Sequence, residues 1–391
     1  MRRSTHRSLR HALLMLLAAA LAAVGAVGAV PAKAATTTDW SAAVVKSTMQ
    51  RFTPSSIGGW SYPVGLYLYG QYQVYQRTHD PSYLAYLKSW VDRFVSSDGT
   101  IDQSFDSLDS MLAGRLLIIL HHETGQAKYA TAAAKIYNRL ATYPRTADGG
   151  FWHADTSSRA HQLWDDGLYM VVPFLDEYGK EFGNSQATDA EAVKQLTVYA
   201  NHLQQSDGLL QHAYDESKKA SWADKTTGLS VEQWCRANGW YGMALVTTLD
   251  DIPATQPGRA TLLTDLNKFA AGLQKYQDPA TGRWFQVIDK PTSAGNWTET
   301  SCSSMNAYTL SRAAQQGYID SHYSAVAAKA YQGVLARISL SKGLTNLTNI
   351  SVGTNVGDYS YYIGRTQATN DFHGLGSFLI MNEQFVRAGG S

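Results

Sequence analysis

Asp165 and Asp166 stand side by side in the run Trp164-Asp165-Asp166-Gly167-Leu168-Tyr169-Met170. An Asp beside a second Asp, next to an indole and ahead of an apolar stretch, is a place where lost hydration and a like charge raise a carboxyl pKa. A carboxyl group that stays protonated at neutral pH is what a general acid requires. A helix N-cap would account for one Asp at such a boundary, but two exceed that need. On spacing alone, capping and catalysis fit equally. Arg236 lies between two indoles in Trp234-Cys235-Arg236-Ala237-Asn238-Gly239-Trp240. Its fork matches the two oxygens of a carboxylate, so it reads as an anion receptor or as a stacked structural arginine. His212, in the loop after Asp207-Gly208, can orient a sugar hydroxyl, share proton work or simply face solvent. Asp106 and Asp109 add two more carboxylates, while Glu299-Thr300-Ser301 reads as a capped helix start. In Asn370-Asp371-Phe372-His373-Gly374 the glycine suits a close backbone approach at the floor of a site. Carboxylates mixed with tryptophans suit sugars, because flat aromatic faces take the apolar faces of pyranose rings and carboxyl groups move protons.

Other chemistries lack their signatures. The chain has no HExxH, no paired CxxC, no phosphate-binding glycine loop and no GxSxG elbow. His121-His122 ends an apolar stretch and reads as a helix C-terminal cation rather than a metal pair. Neither a metal nor a cofactor is expected.

The elements that must hold these residues repeat. Six times a short cluster of aromatic, acidic and small residues runs into an apolar stretch, about every 50–70 residues, a period at which repeat architectures are suspected. The clusters begin at Trp60, Asp106, Trp164, Trp234, Glu299 and Asn370. Residues 112–121 and 168–174 are apolar on nearly all sides, as a buried helix is. Residues 83–95 and 129–140 carry apolar side chains at three-to-four spacing, as a half-buried helix does. Six hairpins of one buried and one amphipathic helix predict an all-α fold, an (α/α)6 barrel with the six clusters at one mouth. An open helical solenoid is the alternative. Residues 35–391 contain no Pro/Gly/Ser-rich linker and read as a single domain.

Residues 1–34 have the anatomy of a secretory signal: basic Arg2, Arg3, Arg7 and Arg10, an apolar run, then Ala32-Lys33-Ala34. A retained anchor is the other reading of that run. Cleavage predicts an exported, secreted protein. The formal charge of the whole chain is +1; without the segment it is −4, from 28 basic and 32 acidic residues. That balance is not the basic surface of a nucleic-acid binder, and an anionic substrate would need a local cation. Hydrophobic residues make up 44% and charged residues 17%, which excludes a disordered chain. Cys235 and Cys302 form one disulfide or remain two thiols; spacing does not decide. Asn296, Asn346 and Asn349 head glycosylation sequons.

Trp164-Asp165-Asp166-Gly167-Leu168-Tyr169-Met170, Trp234 to Trp240, Glu299-Thr300-Ser301 and Asn370 to Gly374 together resemble the unsaturated uronyl hydrolases of glycoside hydrolase family 105. The resemblance runs in order across nearly the whole chain after the signal. It implies an (α/α)6 barrel and an unusual hydrolysis. The substrate it implies is an anionic oligosaccharide left by a polysaccharide lyase, ending in a uronic acid with a C4=C5 double bond. It makes Asp166 the general acid and Asp109 a second carboxylate at the substrate, with Asp106 as competitor. It matches His212, Trp234, Arg236 and Trp240, and more weakly Trp60 and His153, to substrate-binding positions. Cys235 and Ala237 depart from the family pattern. Two other readings stay open: an ordinary mannanase-like glycosidase that uses Asp165 and Asp166 together, and a sugar-binding protein without catalysis.

Overall fold

The computed structural model describes residues 38–389, so the expected signal segment 1–34 lies outside the described residues. In chain order the helices are α1 (Trp40–Arg51), α2 (Tyr62–Thr78), α3 (Pro81–Val91), α4 (Arg115–Thr124), α5 (Ala127–Ala141), α6 (Asp166–Phe182), α7 (Ser185–Leu203), α8 (Cys235–Asp251), α9 (Arg259–Tyr276), α10 (Thr300–Gln315), α11 (Tyr323–Leu335), α12 (Tyr359–Ile363) and α13 (Phe372–Arg387). The stretches that are apolar all round become the inner helices. In α8 and α10 nearly every residue is buried, polar ones included.

The inner helices close a ring: α2 packs on α4, α4 on α6, α6 on α8, α8 on α10, α10 on α13, and α13 back on α2. The amphipathic helices α3, α5, α7, α9 and α11 each cover the inner helix before them. This is an (α/α)6 barrel, not an open solenoid. One detail departs from the repeat read in the sequence. The sixth inner helix, α13, is followed by no outer helix. Its cover comes from the other end of the chain, where α1 turns Val44, Val45, Ser47 and Thr48 inward and packs on α13.

Ring closure needs close approach at the α2–α13 seam. A Cβ on Gly376 would lie 2.6 Å from Leu66 Cγ and 2.8 Å from the Leu66 carbonyl carbon. Only glycine fits there without moving backbone. Two tight turns, Leu108–Ser110 and Leu112–Gly114, precede α4, so the helix expected from residue 112 starts as 3-10, a frequent way to begin an α-helix. Short strands, absent from the sequence reading, tie the loops together. β1 (Gln162–Trp164) pairs antiparallel with β2 (Ala213–Asp215), with Trp164 opposite Ala213, which brings the residues ahead of α6 beside His212. Cys235 and Cys302 are joined by a disulfide, with sulfurs 2.08 Å and Cα atoms 5.6 Å apart. It links the start of α8 to the start of α10.

From Asp39 onward the chain forms one unit. Among the described residues no helix is long and apolar enough to cross a membrane.

Candidate active site

All six inner helices start at the same mouth of the barrel. There a cleft of about 420 Å³ is lined by Tyr62, Ser107, Asp109, His153, Arg159, Trp164, Asp166, Thr354 and Asn355, among others. Asp166 is the first residue of α6, where free N–H groups and the dipole favour a carboxylate. One oxygen, Oδ2, lies 2.9 Å from His212 Nε2. Behind it, His212 Nδ1 lies 2.6 Å from the Tyr362 hydroxyl, and Gly357 N–H donates to that hydroxyl at 3.1 Å. The network assigns the protons: Tyr362 donates to His212 Nδ1, and His212 donates from Nε2 to Asp166.

This arrangement reverses the pKa expected from the paired aspartates. Burial pushes the Asp166 carboxyl up, but His212, with Arg236 farther off, outweighs it and holds Asp166 below the ordinary carboxylate value. Asp109 goes the other way. Burial, then the charge of Asp166, push it up to about 7, and Arg159 offsets only part of this. His153 Nε2 lies 3.8 Å from Asp109, yet burial pushes His153 down to about 4, so it is uncharged near neutral pH and offers Asp109 no counter-charge. Its ring stacks on Trp164 at 4.5 Å. On the facing wall Asp371 accepts from His373 Nδ1 at 2.6 Å, and Tyr62 donates to His373 Nε2 at 2.7 Å. Two histidine relays thus fix Asp166 and Tyr62 from opposite sides.

The structure brings together only part of the set read from the sequence. Asp109, Asp166 and His153 line the cleft, and His212 supports Asp166 from behind while fully buried. Asp106, the competitor of Asp109, points away and pairs with Arg139 at 3.4 Å. Asp165 is sealed off. Among the described residues neither of its oxygens has a partner, it caps no N–H group, and burial with the charge of Asp166 drives its carboxyl well above the usual range. Trp60 donates to the Ser110 carbonyl at 2.7 Å and stacks on the fully buried Trp90 at the edge of the core, outside the cleft lining. Trp240 is fully buried beneath Tyr62 and stacks on Tyr169. Trp234 is likewise buried, packed on His212 and Tyr362.

Arg236 differs most from expectation. Its guanidinium is buried, and both terminal nitrogens are taken by main-chain carbonyls, Nη1 by Ser351 at 2.5 Å and Nη2 by Val352 at 2.8 Å. Carbonyls 115 and 116 residues away in the chain claim the donors that a substrate carboxylate was expected to use. Arg236 instead anchors the segment that continues into Gly353, Thr354 and Asn355 of the cleft wall. Glu299 caps α10 through Ser301 N–H and Cys302 N–H, as its sequence context implied.

The sequence reading did not single out Tyr62, Tyr362, Arg159, Thr354 or Asn355. Tyr62 stood two residues from Trp60 in a cluster already marked. Arg159 sits in a polar loop with no periodic signal. Among the described residues no group of three or more His, Cys, Asp or Glu side chains is arranged to hold a metal ion.

Residues 40–388 match the family model described as Glycosyl Hydrolase Family 88. The chain belongs to glycosyl hydrolase family 88. It is a glycoside hydrolase, and the family 105 resemblance holds at the level of solved structures. A C. acetobutylicum glycoside hydrolase of family 105 is 34% identical, with a TM-score of 0.85 over 90% of this chain and 100% of its own. The unsaturated rhamnogalacturonyl hydrolase YesR of Bacillus subtilis is 27% identical over 239 residues, 60% of this chain and 66% of YesR. An unsaturated glucuronyl hydrolase from Bacillus sp. GL1, at 15% identity and TM-score 0.65 over 90% of this chain and 96% of its own, shares the fold of this family 88 hydrolase.

Proposed function

We propose that this family 88 hydrolase removes a terminal 4,5-unsaturated uronic acid from lyase-generated oligosaccharides. The observation that carries the reading is the pair Asp109 and Asp166 facing one cleft with opposite pKa directions. Two interacting carboxyl groups titrate as a unit, and this unit holds one proton as neutral pH is approached. One proton is what hydration of an enol ether needs. The proton goes to C4, and positive charge develops at C5. The oxygen of a water molecule bonds to C5, and its spare proton returns to the carboxylate left behind. The C5 hemiketal opens, and the neighbouring sugar leaves from C1. No protein nucleophile is required and water attacks C5 rather than the anomeric carbon, so the carboxyl separation of ordinary glycosidases is not the relevant measure.

Asp166 is the proton donor in this proposal. Oδ2 is held by His212, while Oδ1 has no hydrogen-bond partner among the described residues and is left for the substrate. Before substrate binds, the proton favours Asp109, whose carboxyl is pushed up to about 7. Expulsion of water and arrival of an anionic sugar favour the protonated form of the nearest carboxylate. A second reading, favoured by the raised pKa of Asp109, makes Asp109 the donor and leaves Asp166 to take the proton from water. The sealed position of Asp165 speaks against the mannanase-like reading. Similarity to YesR and the family 105 hydrolase supports the substrate class. Export is part of the proposal, supported by the disulfide, a bond that persists in oxidising compartments.

The test is loss of ultraviolet absorbance of the conjugated enol-ether carboxylate in a panel of lyase-generated oligosaccharides. Loss with wild type and not with Asp166→Asn is expected. An Asp109→Asn variant as inactive as Asp166→Asn would favour the second reading. Sugar release from saturated oligosaccharides, with no change in the unsaturated ones, would overturn the proposal.

A further inference from the structure

With Arg236 committed to main-chain carbonyls, the cleft needs another group to hold an anion. Its lining contains two carboxyl groups, and His153 is neutral near pH 7. Among the described residues that line it, Arg159 is the one permanent cation. Its guanidinium carbon lies 4.0 Å over the Trp164 ring. Nη2 donates to Asn355 Oδ1 at 3.1 Å, across the cleft from the loop that carries Arg159. Nε and Nη1 take no partner among the described residues and Nη2 keeps a second N–H, so four of the five N–H donors of the fork remain for a ligand.

We propose that Arg159 receives the carboxylate of the terminal uronate and makes the cleft selective for acids over neutral sugars. This rests on the function proposed above. Without a cation, a substrate carboxylate would enter beside the Asp166 carboxylate and be repelled. The aromatic face and the single bond to Asn355 hold the guanidinium in place before the substrate arrives, which lowers the ordering cost of binding. A planar fork with open N–H groups pairs two carboxylate oxygens at once, which a lysine cannot do. The same residue bridges two loops that share no secondary structure. Substrate can therefore take over the contacts that hold the cleft walls together.

The experiment compares a disaccharide of a 4,5-unsaturated uronate and a neutral sugar with the methyl ester of the same uronate. The ester keeps the double bond and removes the only negative charge. Wild type is expected to prefer the acid. Arg159→Ala is expected to raise KM for the acid about 10- to 100-fold, with the loss on KM rather than kcat, and to leave KM for the ester nearly unchanged. Arg159→Lys is expected to recover part of the loss on the acid. Asn355→Ala removes the bridge but keeps the charge, so it retains the preference for acid over ester. Equal losses of Arg159→Ala on acid and ester would overturn the proposal, because Arg159 would then only shape the wall. Turnover of the acid by Arg159→Ala with wild-type KM would also overturn it. No turnover of either compound by wild type would instead overturn the function on which the inference rests.

Discussion

The two mouths of the barrel are built from the same helices and treat charge in opposite ways. At the mouth where the inner helices end, an opening of about 290 Å³ is lined by Glu177, Asp250 and Asp251. Each of these carboxylates has a cation: Arg115 with Glu177 at 2.5 Å, Arg312 with Asp250 at 2.7 Å, and Lys180 with Asp251. At the mouth where the helices start, among the described residues Asp109 has no ion-pair partner charged near neutral pH, and Asp166 has only a histidine. Polar groups in an opening do not by themselves make a site. What separates the mouths is satisfaction. Paired carboxylates hold a structure together, whereas an under-partnered carboxyl group pushed up to about 7 keeps a proton available for chemistry.

The comparison is broken most directly at Asp166. Asp166→Asn keeps the size of the side chain and removes the proton-transfer group, so kcat should fall about 10³- to 10⁴-fold, the upper part of the range of general acid catalysis. Asp109→Asn should cost about 10²-fold if Asp109 only tunes and assists its neighbour. The same variant carries a stability signature. The folded-state pKa of Asp109 lies above its unfolded value of 3.8. Its contribution to stability is therefore fully present below that value and is lost as pH rises through about 7. Asn does not ionise. Asp109→Asn should accordingly melt higher than wild type at pH 8, by about 1–2 °C, with the gap closing toward pH 4. Thermal melts across pH check this. A variant that loses activity and gains alkaline stability marks a group kept for chemistry.

Tyr362→Phe tests the relay behind Asp166. Without the hydroxyl, the proton of His212 is free to sit on either nitrogen, and the bond that keeps Asp166 ionised weakens. A loss of about tenfold in kcat is expected, with the alkaline limb of the pH–rate profile, which the proton donor Asp166 sets, moved upward as its depressed pKa relaxes. An unchanged profile would show that the tautomer of His212 is set elsewhere.

How much of this was readable in the sequence follows from which forces act locally. Burial all round marked α6 and the stretch that becomes α4, and three-to-four spacing marked α3 and α5, because helix burial repeats along the chain. The clusters ahead of the inner helices told where the site would form. The closing pair α1 and α13 was not readable, since it joins the two ends of the chain and no period spans them. Residue type named the groups that can bind a carboxylate, but not which of them is already engaged. Arg236 had the better local context, between two indoles, and lost its donors to Ser351 and Val352. Arg159 had no context in sequence, and gains it only when Trp164 and Asn355 fold against it. Trp60 and Tyr62 differ by two positions at one helix start, and tertiary contact with Ser110 and Trp90 turns the first away from the cleft.

The smallest effect belongs to the far mouth. Asp250 accepts from Arg312 Nε at 2.7 Å and from the Tyr318 hydroxyl at 3.0 Å. Both side chains of the ion pair are partly exposed, so water screens it and takes over when it is broken. Asp250→Asn keeps the shape and one acceptor for Tyr318. Stability should fall by about 1 kcal/mol or less, and kcat should stay within about twofold of wild type. The residue lies in the last two turns of α8, and the cleft opens at the first, so a helix of 17 residues separates it from Asp166 and Asp109. If kcat instead fell as far as it does in Asp109→Asn, paired and unpaired carboxylates would be equally coupled to the reaction. Satisfaction of charge would then no longer tell a working mouth from a structural one.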